Sequence, residues 1–153
     1  MNDSVFGEIE YDLSWSKYCS SSFCGKESQI SLMIAGDEDG EFENRQYEAY
    51  KEFIAKWPFI QDKIAEKILE YYLKKRKELG YDDEPCEEYL EIEDVSQLLV
   101  HIDFTGIKVP FADIYGGRSI GLCFDCTWDE ENGVGVRLND EEVLKIGYQD
   151  IAI

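Results

Sequence analysis

The 153-residue sequence predicts an α+β fold: an antiparallel sheet of five or six strands with two helices, or one kinked helix, packed on one face. Three features carry that expectation. Apolar residues alternate with polar ones near the N-terminus. A helical stripe runs through residues 44–79. Three further alternating segments follow one another in the last third. A sheet and an amphipathic helix must each bury one face, and packing them together does both. The helical segment interrupts the strands only once, so a regular βαβ array is not expected. The length suits one domain over 1–153.

Residues 5–13 alternate, with Ile9, Tyr11 and Leu13 against Glu8, Glu10 and Asp12, which predicts a half-buried edge strand. Residues 14–27 hold serines, two cysteines and a glycine, and read as a loop. A second strand is expected over 28–35 with Ile30, Leu32 and Ile34 inward, followed by a turn over Gly36–Gly40. Tyr47, Tyr50, Ile54 and Trp57 then recur at helical spacing, with Asn44 as N-cap. Pro58 marks an allowed first-turn position for a new helix. Ile60, Ile64, Ile68 and Tyr71 or Tyr72 continue the stripe. Lys74–Lys77 suit the negative end of the helix dipole, and Gly80 ends it.

Residues 81–94 carry eight acidic groups and one proline, the pattern of a solvated link. A short helix is expected at about 94–101 and a brief strand at Ile107–Val109 before Pro110. In the last third, Ile120, Leu122, Phe124, Cys126 and Trp128 alternate along one strand. Asn132-Gly133 is a strong turn signal. Val134, Val136 and Leu138 return, and Val143 and Ile146 begin a third strand, which makes an antiparallel meander. Gly121 and Gly135 are expected to admit neighbouring side chains such as Trp128 or Tyr148 to close approach. The apolar end, 147–153, is expected to tuck into the fold. The inward set is expected to include Ile30, Ile34, Tyr50, Ile54, Ile64, Ile68, Leu122, Phe124 and Val136.

Composition limits the partners. Lys plus Arg is 15 and Asp plus Glu is 34, a formal charge of −19. Such a surface repels nucleic-acid phosphates and anionic lipid, and favours a basic protein partner or simple solubility. No membrane span and no cleavable leader are read in the sequence, so the cytoplasm is the expected location. The charge is uneven. Residues 44–80 hold nine basic and six acidic groups, a local +3, so the remainder carries −22. The acidic candidates for partner binding are Asp82, Asp83, Glu84, Glu87 and Glu88 in the link and Asp129, Glu130 and Glu131 at the hairpin.

Catalytic and metal signals are sparse, and no cofactor is expected. The five cysteines, Cys19, Cys24, Cys86, Cys123 and Cys126, are odd in number and fit reduced thiols. Cys123 and Cys126 resemble half a zinc site, but residues three apart on a strand face opposite ways. Asp37, Asp39 and Glu43 fail the EF-hand spacing, and Gly116-Gly117 before Arg118 lacks a P-loop context. The enzyme alternative is a small hydrolase or metal-dependent enzyme using His101, the only histidine, with Asp125, a carboxylate inside an apolar strand. The other alternative is a structural or regulatory domain without catalysis.

The segment Tyr115–Val136, with Phe124-Asp-Cys-Thr-Trp-Asp129 and the glycines Gly133 and Gly135, and Gly147-Tyr-Gln-Asp-Ile151 resemble a family of small uncharacterised bacterial proteins. These are the DUF2004 and DUF6985-like proteins. The Phe6-Gly7 opening and the tyrosine-rich helical region are similar too. The resemblance carries no activity. Some relatives look like neighbours of bacterial toxin systems, which implies immunity proteins and agrees with an acidic inhibitor of a basic toxin.

Overall fold

The computed structural model describes residues 1–81, 86–112 and 117–152. Its centre is a seven-stranded sheet in the order β3-β4-β5-β6-β7-β8-β9, beside a two-stranded ribbon β1-β2. The N-terminal alternation does not make one strand. It divides into β1 (Asn2–Asp3), β2 (Gly7–Glu8) and β3 (Glu10–Asp12). The Asp3 carboxylate accepts the N–H groups of Val5 and Phe6 and the Tyr47 hydroxyl, which turns the chain back. Leu13 then adopts φ 66° and is 95 % exposed. A left-handed turn there overrides the period-two pattern.

The expected loop at 14–27 is instead β4 (Ser14–Phe23), which forms a hairpin with β5 (Lys26–Ile34). Cys24 and Gly25, both at positive φ, make its two-residue turn. This hairpin buries one face only. Trp15 and Phe23 point with Ile30, Leu32 and Ile34 into the core, whereas Tyr18, Ser20 and Ser22 face water. The serines on the wet face hide the strand from a hydrophobicity pattern.

One helix, α1 (Asn44–Glu78), runs through Pro58. The proline deletes the bond to the Ile54 carbonyl, one helical turn back. Ile54 lies on the outer side and is 46 % exposed, so water can satisfy that carbonyl. The buried stripe is Gln46, Ala49, Phe53, Trp57, Ile64, Ala65, Ile68 and Tyr72. It is rotated from the expected one: Tyr50 is half-buried and Ile54 is out. Gln46 explains the offset. It donates to the Ala35 carbonyl and accepts the Glu43 N–H, so a polar side chain holds a core position and Glu43, not Asn44, is the N-cap. Gly80, at φ 83°, ends the helix as expected.

A shorter helix, α2 (Val95–His101), is capped by Asp94 and leads directly into β6 (Ile102–Val109). That strand is longer than expected and pairs parallel to β5, with Ser31 opposite Gly106 and Ile34 opposite Val109. The sheet is therefore mixed. It gains the parallel pair because α1 and α2 return the chain over one face. The rest is the expected meander: β7 (Ser119–Cys126), β8 (Val134–Asn139) and β9 (Glu142–Gly147), all antiparallel. Ile120, Leu122, Phe124, Val134 and Val136 are buried in one core with the helix stripe.

The opposite face of β7 and β8 is roofed by a 3₁₀ turn at Gln149–Ala152. It lies directly on Gly121 and Gly135, where a Cβ would strike the Ala152 and Tyr148 carbonyls. Gly133, at φ 60°, forms the expected Asn-Gly turn, and Gln149 caps it by bonding the Asn132 and Phe124 carbonyls.

Candidate functional site

The β6–β7 register assembles the site. Ile102 stands opposite Cys126 and Asp103 opposite Asp125. Like charges facing each other across an antiparallel pair are destabilising. Two neighbours offset this: Lys26 Nζ lies 2.7 Å from Asp103, and Gln149 Nε2 donates to Asp125 over 3.1 Å. Lys26 also donates to the Leu99 and Ile102 carbonyls, which fixes the end of α2 to the β4–β5 turn.

His101 and Thr127 extend the same pair of strands. The Thr127 N–H donates to the His101 carbonyl, and the Thr127 hydroxyl lies 3.0 Å from His101 Nδ1. A cleft of about 280 Å3 opens here, with His101, Asp103, Asp125, Cys126, Thr127 and Glu130 on its walls. A second hollow of about 170 Å3 shares His101 and Thr127 and adds Glu87 and Glu88 over Tyr72, Leu90 and Trp128. Acidic residues from the link and from the last hairpin thus meet around one corner. Among the described residues, Glu87, Glu88 and Glu130 form no ion pair.

Each expected partner-binding residue has a definite place or none. Asp82, Asp83 and Glu84 lie outside the described residues. Glu87, Glu88, Glu130 and Glu131 are exposed. Asp129 is spent on its own turn, accepting the Asn132 backbone and side-chain N–H groups. Asp103 and Thr127 were not singled out from sequence. Asp103 lies two residues from His101 in the chain, but only the pairing of β6 with β7 brings Thr127 to His101, and no local pattern encodes that pairing.

The cleft unites His101 with Asp125 and a cysteine, the arrangement an enzyme reading requires. The chemistry of the thiol opposes a nucleophilic role. Burial pushes the Cys126 thiol up to about 11, and its Sγ donates to the Asp129 carbonyl. A thiolate, not a thiol, attacks or binds metal. Cys123 lies on the opposite face of β7 and is likewise raised, first by burial. Among the described residues no three His, Cys, Asp or Glu side chains are grouped to hold a metal ion.

A separate ion cluster ties helix to sheet. Glu141, whose side chain is 5 % exposed, receives Arg118 through two bonds of 3.0 and 2.9 Å and Lys56 at 2.9 Å. Its hydrogen bonds from Arg118 hold the carboxyl below the ordinary range. Asp140 and Glu141 form the β8–β9 turn with φ of 51° and 65°. Non-glycine residues take that conformation at a cost, here met by the bonds to Arg118.

The chain belongs to the family described as a domain of unknown function, DUF6985, whose model matches residues 5–153. No curated protein and no solved structure matches it. No helix among the described residues is long and apolar enough to cross a membrane.

Proposed function

We propose that this chain is an acidic protein-binding module whose partner is basic, a toxin-neutralising immunity protein being its most concrete form. The carrying observation is the convergence of Glu87 and Glu88 with Glu130, Asp103 and Asp125 around the His101–Thr127 corner. Three of these carboxylates have no cation beside them, and two face each other across a strand pair. A lysine or arginine from a partner would pair with Glu87, Glu88 or Glu130, which have no cation among the described residues. Leu90, half-exposed beside the buried Trp128 and Tyr72, offers an apolar contact of the kind affinity requires, while the rim chiefly speeds association.

The test is a pull-down with the wild type and a variant bearing Asn or Gln at Asp82, Asp83, Glu84, Glu87, Glu88, Asp129, Glu130 and Glu131. A basic protein should be retained by the wild type alone, with association slowed by added salt. Equal retention by both, without salt dependence, defeats the proposal.

A second reading, a small hydrolase using His101 and Asp125, is favoured by one contact: the Thr127 hydroxyl at hydrogen-bond distance from His101. A positioned imidazole can act as general base toward a hydroxyl or a water. Hydrolysis of a panel of activated esters that disappears in His101→Gln would support it. Identical rates in wild type and variant would remove it.

A further inference from the structure

The turn between β7 and β8 carries a reactive pair. Of the four asparagines, Asn2, Asn44, Asn132 and Asn139, Asn132 alone precedes a glycine. In such a pair the backbone nitrogen of the following residue can attack the asparagine Cγ and close a succinimide ring. Glycine has no Cβ to obstruct that approach, and asparagine is a thermolabile residue for this reason.

Ring closure needs the Gly133 nitrogen free of its proton and the Asn132 carboxamide turned onto it. The fold holds both groups elsewhere. The Gly133 N–H donates to the Asp129 carbonyl over 2.9 Å. Asn132 Nδ2 donates to the two Asp129 carboxylate oxygens over 3.2 and 3.1 Å. The peptide group between them is also fixed at its oxygen, since the Asn132 carbonyl accepts the Gln149 N–H over 3.0 Å. The Gln149 side chain lies over Gly133 on its way to the Phe124 carbonyl. Asn132 is exposed while Gly133 is buried, so solvent base reaches the Gly133 N–H only when the 3₁₀ turn and the 129–133 turn beneath it open. Local opening of this kind costs less than global unfolding.

We propose that Asn132 is a site of spontaneous deamidation, held shut by the terminal 3₁₀ turn and the Asp129 clamp. In the opened state, hydroxide removes the Gly133 amide proton and the nitrogen forms a bond to Asn132 Cγ. The Cγ–Nδ2 bond breaks, and the side-chain nitrogen takes up a proton and leaves as ammonia. Water then adds to either ring carbonyl and reopens it as aspartate or isoaspartate. The sum is amide plus water to carboxylic acid plus ammonia, with no change of oxidation state and water as the only reagent consumed.

Either product undoes the clamp that shielded it. The Nδ2 donor is gone, and a new carboxylate faces that of Asp129, an arrangement of like charges that disfavours both ionised forms. Isoaspartate also adds a methylene to the main chain, so the residue-132 carbonyl and the Gly133 N–H no longer both reach their partners. Conversion is one-way and leaves the terminal turn less tightly held.

Peptide mapping by mass spectrometry, after incubation of the full chain at mildly alkaline pH, tests the proposal. The peptide holding Asn132 should show the amide-to-acid mass gain ahead of those holding Asn2, Asn44 and Asn139. The folded protein should convert at least about tenfold more slowly than the same chain in guanidinium chloride, the fold-change of an opening free energy of about 1.4 kcal/mol. Gln149→Ala and Asp129→Ala each remove one part of the clamp, and each should convert severalfold faster than wild type, with melting curves checking that they remain folded. Amide exchange at Gly133 in the wild type reads the same opening without any substitution and should be slowed at least about tenfold relative to the unfolded chain. Equal conversion in the folded and unfolded chains, an unprotected Gly133 amide, folded clamp variants that convert no faster than wild type, or an Asn132 that stays an amide even when unfolded would overturn the proposal.

Discussion

The β4–β5 hairpin and the β7–β8 hairpin sit in one sheet under one helix, yet they meet water differently. Both send aromatic and aliphatic residues into the shared core. Behind β7 and β8, the 3₁₀ turn at Gln149–Ala152 closes the second face over Gly121 and Gly135. Behind β4 and β5, Tyr18, Ser20 and Gln29 stand in solvent. Strands of similar geometry therefore differ in what their sequences must supply. The roofed pair needs apolar residues on one side and glycines on the other. The open pair needs apolar residues on one side and only hydrogen-bonding side chains behind them, such as the Gln29–Ser20 contact of 2.8 Å.

That contrast can be broken by substitution. The largest effect is expected at Phe124, fully buried and packed on Phe23 and Phe104. Phe124→Ala should lower stability by about 3–5 kcal/mol, whereas Tyr18→Ala, whose ring is 83 % exposed, should change it by less than about 0.5 kcal/mol. Chemical denaturation of the two variants compares them directly, and comparable losses would abolish the distinction.

A smaller effect isolates the roof itself. Gly121→Ala places a methyl group against the Ala152 carbonyl and should cost about 1–3 kcal/mol through overpacking. Ser20→Ala, on the unroofed face, should stay within about 0.5 kcal/mol. An unshifted denaturation midpoint in Gly121→Ala would mean that the terminal turn lifts away freely.

The smallest effect sharpens the comparison through pH. Glu141 joins the last hairpin to α1, and its carboxyl is held below the usual 4.5 by its bonds from Arg118. Its charged form thus stabilises the fold fully above pH 4.5, and that contribution is lost as pH falls through the depressed folded value. Glu141→Gln should be less stable than wild type by about 1 kcal/mol at neutral pH. The two stability curves should converge in acid. A gap that persists at low pH would assign the effect to packing instead of charge.

The same contrast explains what was legible in the sequence. The meander was plain because β7 and β8 carry their alternation without interruption and Asn132-Gly133 dictates its turn. A close approach at Gly121 and Gly135 could be anticipated because a glycine inside a strand often marks one, but the neighbours are the Ala152 and Tyr148 backbone, not the expected side chains of Trp128 or Tyr148. β4 was hidden because five of its residues are serines, which cost little on a wet face but look like a loop. The helix was visible as a whole, while its exact facing was not. Gln46 enters the core by hydrogen bonds that hydrophobic periodicity ignores. Ile9 is in the core as the alternation required, but Leu13 is not, since the turn begins there. The candidate site was legible only in pieces. His101, Asp125, Glu87 and Glu130 could each be noted, but they lie on different elements. Their meeting depends on the register of β6 against β7, a long-range choice made by packing.

The parallel pairing of β5 with β6, the one such pairing among the described residues, also sets an order of events during folding. The β4–β5 hairpin and the β7–β8–β9 meander are local, and each can close through a short turn. Joining them into one sheet requires residues 35–101 to be spanned first, so a large loop must close before that junction is stabilised. Until then, α1 can rest its first turns on β5 but lacks the strands that bury Ile64, Ile68 and Tyr72. The slow step of folding is therefore expected at the β5–β6 seam, with core substitutions in β6 slowing refolding more than equivalent ones at the β8–β9 edge.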